Sequence, residues 1–293
     1  MLKEIMKLYV VTVATKREGY YDALVESCRR NGLELVVLGY GQPWQGFAWR
    51  FLLVKDFLET IHDEDIVIFL DAYDMINTQP SPVVKQRFLS FHAPIVMSVE
   101  NMKDRSRIST YMRNQVFGYC KKANVCGGAY MGYVYALKKL YAYLQERFDP
   151  QDFEKLDDQR LLTFVCQDNN FVHQYIKYDY DSSIFYNLEL ETYPHHVFQP
   201  MENIHHVQNN QLYLKKTNSS PCFIHGITNI NMDYLINLYQ LPPRNTKRIM
   251  YGVKTLQYQS QIFRKQILGT VLSIVLLVLM LVLVFYVGSR FHP

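Results

Sequence analysis

The run Ile66-Val67-Ile68-Phe69-Leu70 is apolar throughout and stops at Asp71; a second carboxylate, Asp74, follows three residues on, with Tyr73 between them. Two carboxylates at i and i+3 across a tight turn can point into one cleft, where they repel and are costly to desolvate. A divalent cation resolves that cost. With a nucleotide diphosphate as ligand, such a cation bridges phosphate oxygens and offsets the charge that grows as the diphosphate departs, and Tyr73 can lie against a base or sugar face. A plainer reading stays open on this stretch alone. Asp is a common turn former and a good helix cap, so a buried strand running into a turn has the same appearance.

The elements that would position these acids follow from the apolar pattern. Strands are expected at residues 7–15, 33–39 and 66–70, with later ones at 94–98, 129–135, 175–180 and 222–225. Helical spacing occupies 20–31, 47–61, 82–91, 136–147 and 157–166. Repeated alternation of strand and helix argues for an α/β fold, a mostly parallel sheet with helices on both faces. In such sheets ligands bind beyond the carboxyl ends of the strands, where Asp71 and Asp74 sit.

Composition excludes some classes. The 293 residues are 49% hydrophobic, enough for a large core rather than a disordered chain. A formal net charge of +4, with basic residues scattered among acidic ones, argues against nucleic acid as a partner. The cysteines are Cys28, Cys120, Cys126, Cys166 and Cys222, an odd number without a CxxC pair, so neither a disulfide framework nor a zinc ribbon is expected and a reducing compartment is the simpler setting.

The carboxyl end differs from the rest. Residues 266–287 hold 22 residues without a charge, enough at about 1.5 Å per residue to span a hydrocarbon core of roughly 30 Å. A single-pass transmembrane helix is expected there, after a juxtamembrane connector at 244–265 and before a short tail at 288–293. Lys247, Arg248, Lys254, Arg264 and Lys265 precede the span and only Arg290 follows it. That asymmetry predicts a C-terminal anchor in the lipid bilayer with the preceding domain cytosolic. The competing topology puts the body in a lumen, where Asn218-Ser219-Ser220 is a glycosylation sequon.

Seven patches carry a family resemblance over about residues 8–243: TVATKREGYY at 12–21, VLGYGQPWQG at 37–46, FLDAYDMI at 69–76, NVCGGAYMGY at 124–133, DDQ at 157–159, YDYDSSIF at 178–185 and FIHGITNINMDYL at 223–235. In this order they resemble the glycosyltransferase domain of procollagen lysyl hydroxylases. The resemblance implies a GT-A (Rossmann-like) domain over 1–243 that uses a UDP-sugar, UDP-galactose or UDP-glucose, and a Mn²⁺ ion; Asp-Ala-Tyr-Asp is then a longer form of the DxD motif.

Carried over by position, Asp71, Asp74 and His225 match the metal ligands, and two carboxylates with one imidazole suit Mn²⁺ better than Ca²⁺. Without the resemblance, His225 reads as a hydrogen-bonded core histidine. Val13, Thr15, Tyr73 and Trp44 match the uridine pocket, and Arg50 stands where the family has a lysine near the phosphates. Gly127 and Gly128 match a segment whose bare backbone approaches the donor sugar, and Gly226 follows the metal histidine. Asp157 and Asp158 match acids facing the acceptor, from which one can take the hydroxyl proton; an acidic helix cap is the alternative.

The chain also departs from the family. Ile227, Thr228 and Asn229 replace a stretch that should lead to a phosphate-touching lysine, and the loop 100–122 lacks the family's tryptophans, leaving Tyr111 or Met112 to gate the sugar. No hydroxylase half is present in this sequence. The expected activity is hexosyl transfer from the UDP-sugar to a hydroxyl-bearing protein, such as one with hydroxylysine, or to a glycan. The alternative is a non-catalytic, membrane-anchored sugar-nucleotide-binding scaffold. The pairs His195-His196 and His205-His206 are expected in loops or on the surface, because adjacent residues of a strand face opposite ways and do not readily share one ion.

Overall fold

The computed structural model describes residues 6–100, 107–149, 156–188, 205–227 and 231–245, together with Val275, Val278 and Leu279. The chain divides into two units, Met1–Lys247 and Arg248–Pro293. In the second unit the three described residues are helical and exposed. The expected span at 266–287 otherwise lies outside the described residues, as do the tail and nearly all of the connector. Among the described residues, no helix is long and apolar enough to cross a membrane.

In the first unit, runs of Val, Ile, Leu and Phe form the strands β1 (Leu8–Val13), β2 (Glu34–Leu38) and β3 (Ile66–Leu70), joined through helices α1 (Tyr21–Arg30) and α2 (Phe47–Leu58). β1 pairs in parallel with both β2 and β3. β3 is buried along its whole length, which is why its sequence is uniformly apolar rather than alternating. Its alternate residues nevertheless serve two cores. Val67 and Phe69 pack with Val11 of β1 and with Phe51 and Val54 of α2. Ile66, Ile68 and Leu70 pack on the other face, with Leu24 of α1 and with Val84 and Phe88 of α3 (Ser81–Ser90). Helices therefore cover both faces, as expected from the alternation of elements.

The central sheet is completed by β5 (Ile95–Val99), β6 (Val125–Tyr133) and β7 (Ile176–Tyr178), in the order β2-β1-β3-β6-β5-β7. β6 alone is antiparallel, to both β3 and β5. Its amino-terminal end consequently lies beside the carboxyl end of β3, and this reversal brings Gly127 and Gly128 to the acids. Helices α4 (Arg107–Phe117), α5 (Val134–Arg147), α6 (Asp158–Gln167) and α7 (Asn169–Tyr175) surround this half.

A second, three-stranded sheet, β4-β11-β8, is built from short segments far apart in the chain: β4 (Met75–Asn77), β8 (Phe185–Asn187) and β11 (Phe223–His225). β11 is antiparallel to β4 and parallel to β8. A hairpin of β9 (His205–Gln208) and β10 (Gln211–Leu214) turns through Asn209 and Asn210, both at positive φ as a tight two-residue turn demands. Helix α8 (Asp233–Leu238) follows. Asn245 is held to Gly19 and Asp22 by hydrogen bonds of 3.0 and 2.7 Å.

Two expectations are corrected. Cys120 and Cys166 form a disulfide, joining the segment after α4 to the last turn of α6, whereas Cys28, Cys126 and Cys222 are buried free thiols. Residues 46 apart in sequence gave no sign of that proximity. His205 is not on the surface. It is buried in β9, its ring parallel to that of Tyr234, while His206 is half-buried. His195 and His196 lie outside the described residues.

Candidate metal centre

The two acids are fixed by different sheets. The Asp71 N–H donates to the Gly128 carbonyl at 2.8 Å, extending the β3–β6 ladder by one residue. Asp74 directly precedes β4, and its carbonyl accepts from the N–H of Gly226 at 2.7 Å. His225 is paired across β11 with Met75, so the second sheet delivers the imidazole beside Asp74 although 151 residues separate them by number, 225 minus 74.

His225 Nε2 lies 3.4 Å from Asp74 Oδ1 and 3.7 Å from Asp71 Oδ2, and one ligand atom from each of the three residues falls within 4.8 Å of the others. Two donors each about 2.1 Å from one ion and at right angles stand about 3 Å apart. The spacing and the donor set, two hard carboxylates and an imidazole, both fit a divalent cation. Burial would pull the His225 imidazole down, but the Asp74 carboxylate outweighs it and holds the ring well above the ordinary histidine range. Burial pushes the Asp74 carboxyl up, with His225 opposing. The pair thus retains a proton that a cation must displace.

Gly128 has a specific reason here. A Cβ at that position would stand 2.4 Å from His225 Cε1 and 2.6 Å from Asp71 Oδ2, so a side chain would occupy the space of two ligands. Gly127 has a similar role against α6, since a Cβ there would lie 2.8 Å from the Gln159 backbone nitrogen. Gln159 in turn donates to Glu100 at 3.0 Å, and Glu100 pairs with the buried Arg113 at 3.1 Å.

Arg50, on the first turn of α2, ion-pairs through one nitrogen with Asp71 Oδ1 and through the other with Asp158 Oδ2. Its guanidinium carbon also lies 5.2 Å from the Phe47 ring centre and 5.4 Å from that of Phe69. Asp158 is the first residue of α6 and is buried. Asp157 caps that helix, accepting from Gln159 N–H at 2.9 Å and Arg160 N–H at 3.4 Å. The cap foreseen as the alternative to a catalytic role is therefore present. Burial pushes the Asp157 carboxyl up, with Arg50 and the capping N–H groups opposing.

Of the remaining expected residues, Thr15 and Tyr73 meet just beyond the carboxyl end of β1. The Thr15 N–H donates to the Tyr73 hydroxyl at 3.1 Å, and the Thr15 carbonyl accepts from Gly41 N–H at 2.9 Å. Val13 packs its side chain into the core. Trp44 is 47% exposed, edge-on to Phe47 and Trp49. Tyr111 is exposed on α4, whereas the Met112 side chain, Thr228 and Asn229 lie outside the described residues.

Sequence reasoning missed two partners of His225. Asn187 Oδ1 is 3.0 Å and Cys126 Sγ 3.5 Å from its Nδ1. Neither spacing nor residue type marks them: Asn187 arrives as the register partner of His225 in the β8–β11 pair, and Cys126 from the amino-terminal end of β6.

Fold and site together define an α/β domain with an Asp-Asp-His cluster where the central sheet ends. Residues 4–243 match the PLOD GT domain, and the chain belongs to that family. It is 26% identical over 234 residues to a procollagen-lysine,2-oxoglutarate 5-dioxygenase of Drosophila melanogaster, covering 75% of this chain and 30% of that protein. It is also 26% identical over 203 residues to a multifunctional procollagen lysine hydroxylase and glycosyltransferase of Caenorhabditis elegans, covering 64% of this chain and 26% of the relative. The chain thus spans under a third of these curated relatives. Among solved structures, a glycosyltransferase involved in glycosylation of the major capsid of PBCV-1 is similar, with a TM-score of 0.42 and 11% identity over 80% of this chain and 99% of that one.

Proposed function

We propose that this domain transfers a hexose, galactose or glucose, from its UDP conjugate to a hydroxyl acceptor, a hydroxylysine-like side chain or a glycan. The single observation that supports this most is the convergence of Asp71, Asp74 and His225 from two sheets. These residues would hold Mn²⁺, which when bound neutralises diphosphate charge and stabilises the departing UDP. Thr15 and the backbone at Val13, with Tyr73 and Trp44, form the nucleoside side of the cleft. Gly127, Gly128 and Gly226 keep the backbone close around the ligands. Arg50 orients Asp71 and holds a positive charge beside the phosphates. Asp158, or Asp157, receives the acceptor proton once Arg50 has released it.

A screen of UDP-sugars with Mn²⁺ tests this by rate of sugar release. Release with one UDP-hexose, abolished in Asp74→Ala, is expected; Asp74→Ala turnover equal to wild type removes the metal from the reaction. One observation favours a second reading, a sugar-nucleotide-binding scaffold: Arg50 engages both Asp71 and the candidate base Asp158. UDP binding without any sugar release supports that reading instead.

The 266–287 run, in the same proposal, anchors the domain to a bilayer, and resistance to alkaline extraction from membranes tests it. The flanking charges favour a cytosolic domain, but the Cys120–Cys166 disulfide favours an oxidising compartment. Protease treatment of sealed vesicles decides between them: digestion supports the first, protection the second.

A further inference from the structure

An imidazole offers a cation only the ring nitrogen that carries no proton, so whatever accepts from the other nitrogen decides which one is offered. We propose that Asn187 is the positioning residue that sets the tautomer and ring angle of His225; the inference rests on reading Asp71, Asp74 and His225 as a metal site.

The orientation of the Asn187 amide is fixed from outside the site. Its Nδ2 lies 2.9 Å from the Val99 carbonyl oxygen and 2.8 Å from Ser98 Oγ. A backbone carbonyl only accepts, so the NH₂ group must face β5, and the amide cannot be flipped without setting two oxygens against each other. Oδ1 is then the atom left facing β11, 3.0 Å from His225 Nδ1. An oxygen without a proton requires Nδ1 to donate. Nε2 is thereby left to face Asp74 Oδ1 and Asp71 Oδ2, at 3.4 and 3.7 Å.

The backbone enforces the same arrangement. Asn187 and His225 are register partners in the parallel β8–β11 pair, and the Leu188 N–H donates to the His225 carbonyl at 2.8 Å. Asn187 and His225 are each 3% exposed and Ser98 fully buried, so water does not compete for these bonds. Cys126 Sγ, 3.5 Å from the same Nδ1, is the weaker acceptor. Asn187 thus links β5 of the central sheet to the ligand supplied by the second sheet.

Such a residue also contributes to stability, so the test separates the two effects. Asn187→Leu removes both the donors and the acceptor. Asn187→Asp keeps an acceptor for Nδ1–H but loses the donors to Val99 and Ser98. Mn²⁺ affinity by calorimetry and thermal melting are measured on both variants and on wild type. Asn187→Leu is expected to bind Mn²⁺ about 10–100-fold more weakly, and Asn187→Asp within about threefold of wild type, although both melt at lower temperature. Mn²⁺ affinity unchanged in Asn187→Leu, or equally weakened in both variants, overturns the role assigned to Asn187. Wild type that binds no Mn²⁺ overturns the metal site itself, a distinct result.

Proton–nitrogen correlation NMR of the imidazoles gives a reading that needs no variant. In wild type loaded with diamagnetic Zn²⁺, the proton of His225 is expected on Nδ1, and a proton on Nε2 contradicts the assignment.

Discussion

Arg50 and Asp71 form an ion pair that joins the first turn of α2 to the end of β3, and the same guanidinium reaches Asp158 on α6. The pair takes Asp71 Oδ1 and leaves Oδ2 toward His225. Removing one partner of a buried ion pair costs about 3–5 kcal/mol, because the other charge stays buried and uncompensated. Arg50→Met is therefore expected to lose about that much stability in urea denaturation. Arg50→Lys should recover only part of it, since one ammonium does not present a planar fork to two acids. Added Mn²⁺ should stabilise Arg50→Met more than wild type, as it supplies the missing positive charge. A wild-type denaturation midpoint for Arg50→Met would show that the pair contributes nothing.

Gly128→Ala tests the space around the ligands. Its methyl group meets both His225 and Asp71 Oδ2 at under 3 Å, so overpacking should cost about 1–3 kcal/mol, and Mn²⁺ binding should be lost while the fold persists. Circular dichroism and calorimetry on one sample check both halves. Full metal affinity in this variant would mean that the ligands are not where they are described.

Metal binding should depend on pH. His225 is held well above the ordinary histidine value of 6.5 by Asp74, against the effect of burial. A cation must displace that proton, so affinity should rise with pH by about tenfold per unit for each proton released, until His225 is deprotonated. The metal-free protein should show the opposite trend. A raised folded-state pKa contributes stability that is fully present below the unfolded value, about 6.5, and is lost as pH rises through the folded value. Calorimetric titrations at several pH values, with denaturation in chelator, check both slopes. Affinity independent of pH would remove proton displacement from the account.

The Cys120–Cys166 disulfide fastens the carboxyl end of the helix whose amino end bears Asp157 and Asp158. Replacing both cysteines by serine should lower stability by about 2–4 kcal/mol, read from denaturation with and without reductant. A midpoint indifferent to reductant in the wild type would contradict the pairing.

Much of this architecture was legible in the sequence. β1 and β3 announce themselves as apolar runs buried on both faces, and five helices follow from their spacing. The strand expected at 222–225 is β11. The three-residue strands β4 and β8 were not foreseen, because segments that short carry no period and the second sheet joins residues 75–77, 185–187 and 223–225 from far apart in the chain. α4 is rich in polar and β-branched residues, Arg-Ile-Ser-Thr at its start, so its helical pattern is faint. Within the site, Asp71 and Asp74 were visible because they are neighbours in the chain. His225 was visible only through family resemblance, and Asn187 not at all. Gly128 was expected for the reason that a bare backbone approaches a sugar; its nearest demands come instead from the His225 and Asp71 side chains.

The central claim is that Asp71, Asp74 and His225 hold one divalent ion, and calorimetric titration of Mn²⁺ into wild type, Asp74→Asn and His225→Ala tests it most directly. One ion per domain in wild type, with binding lost in each folded variant, is the result expected from the geometry. Equal Mn²⁺ affinity in all three proteins would contradict it.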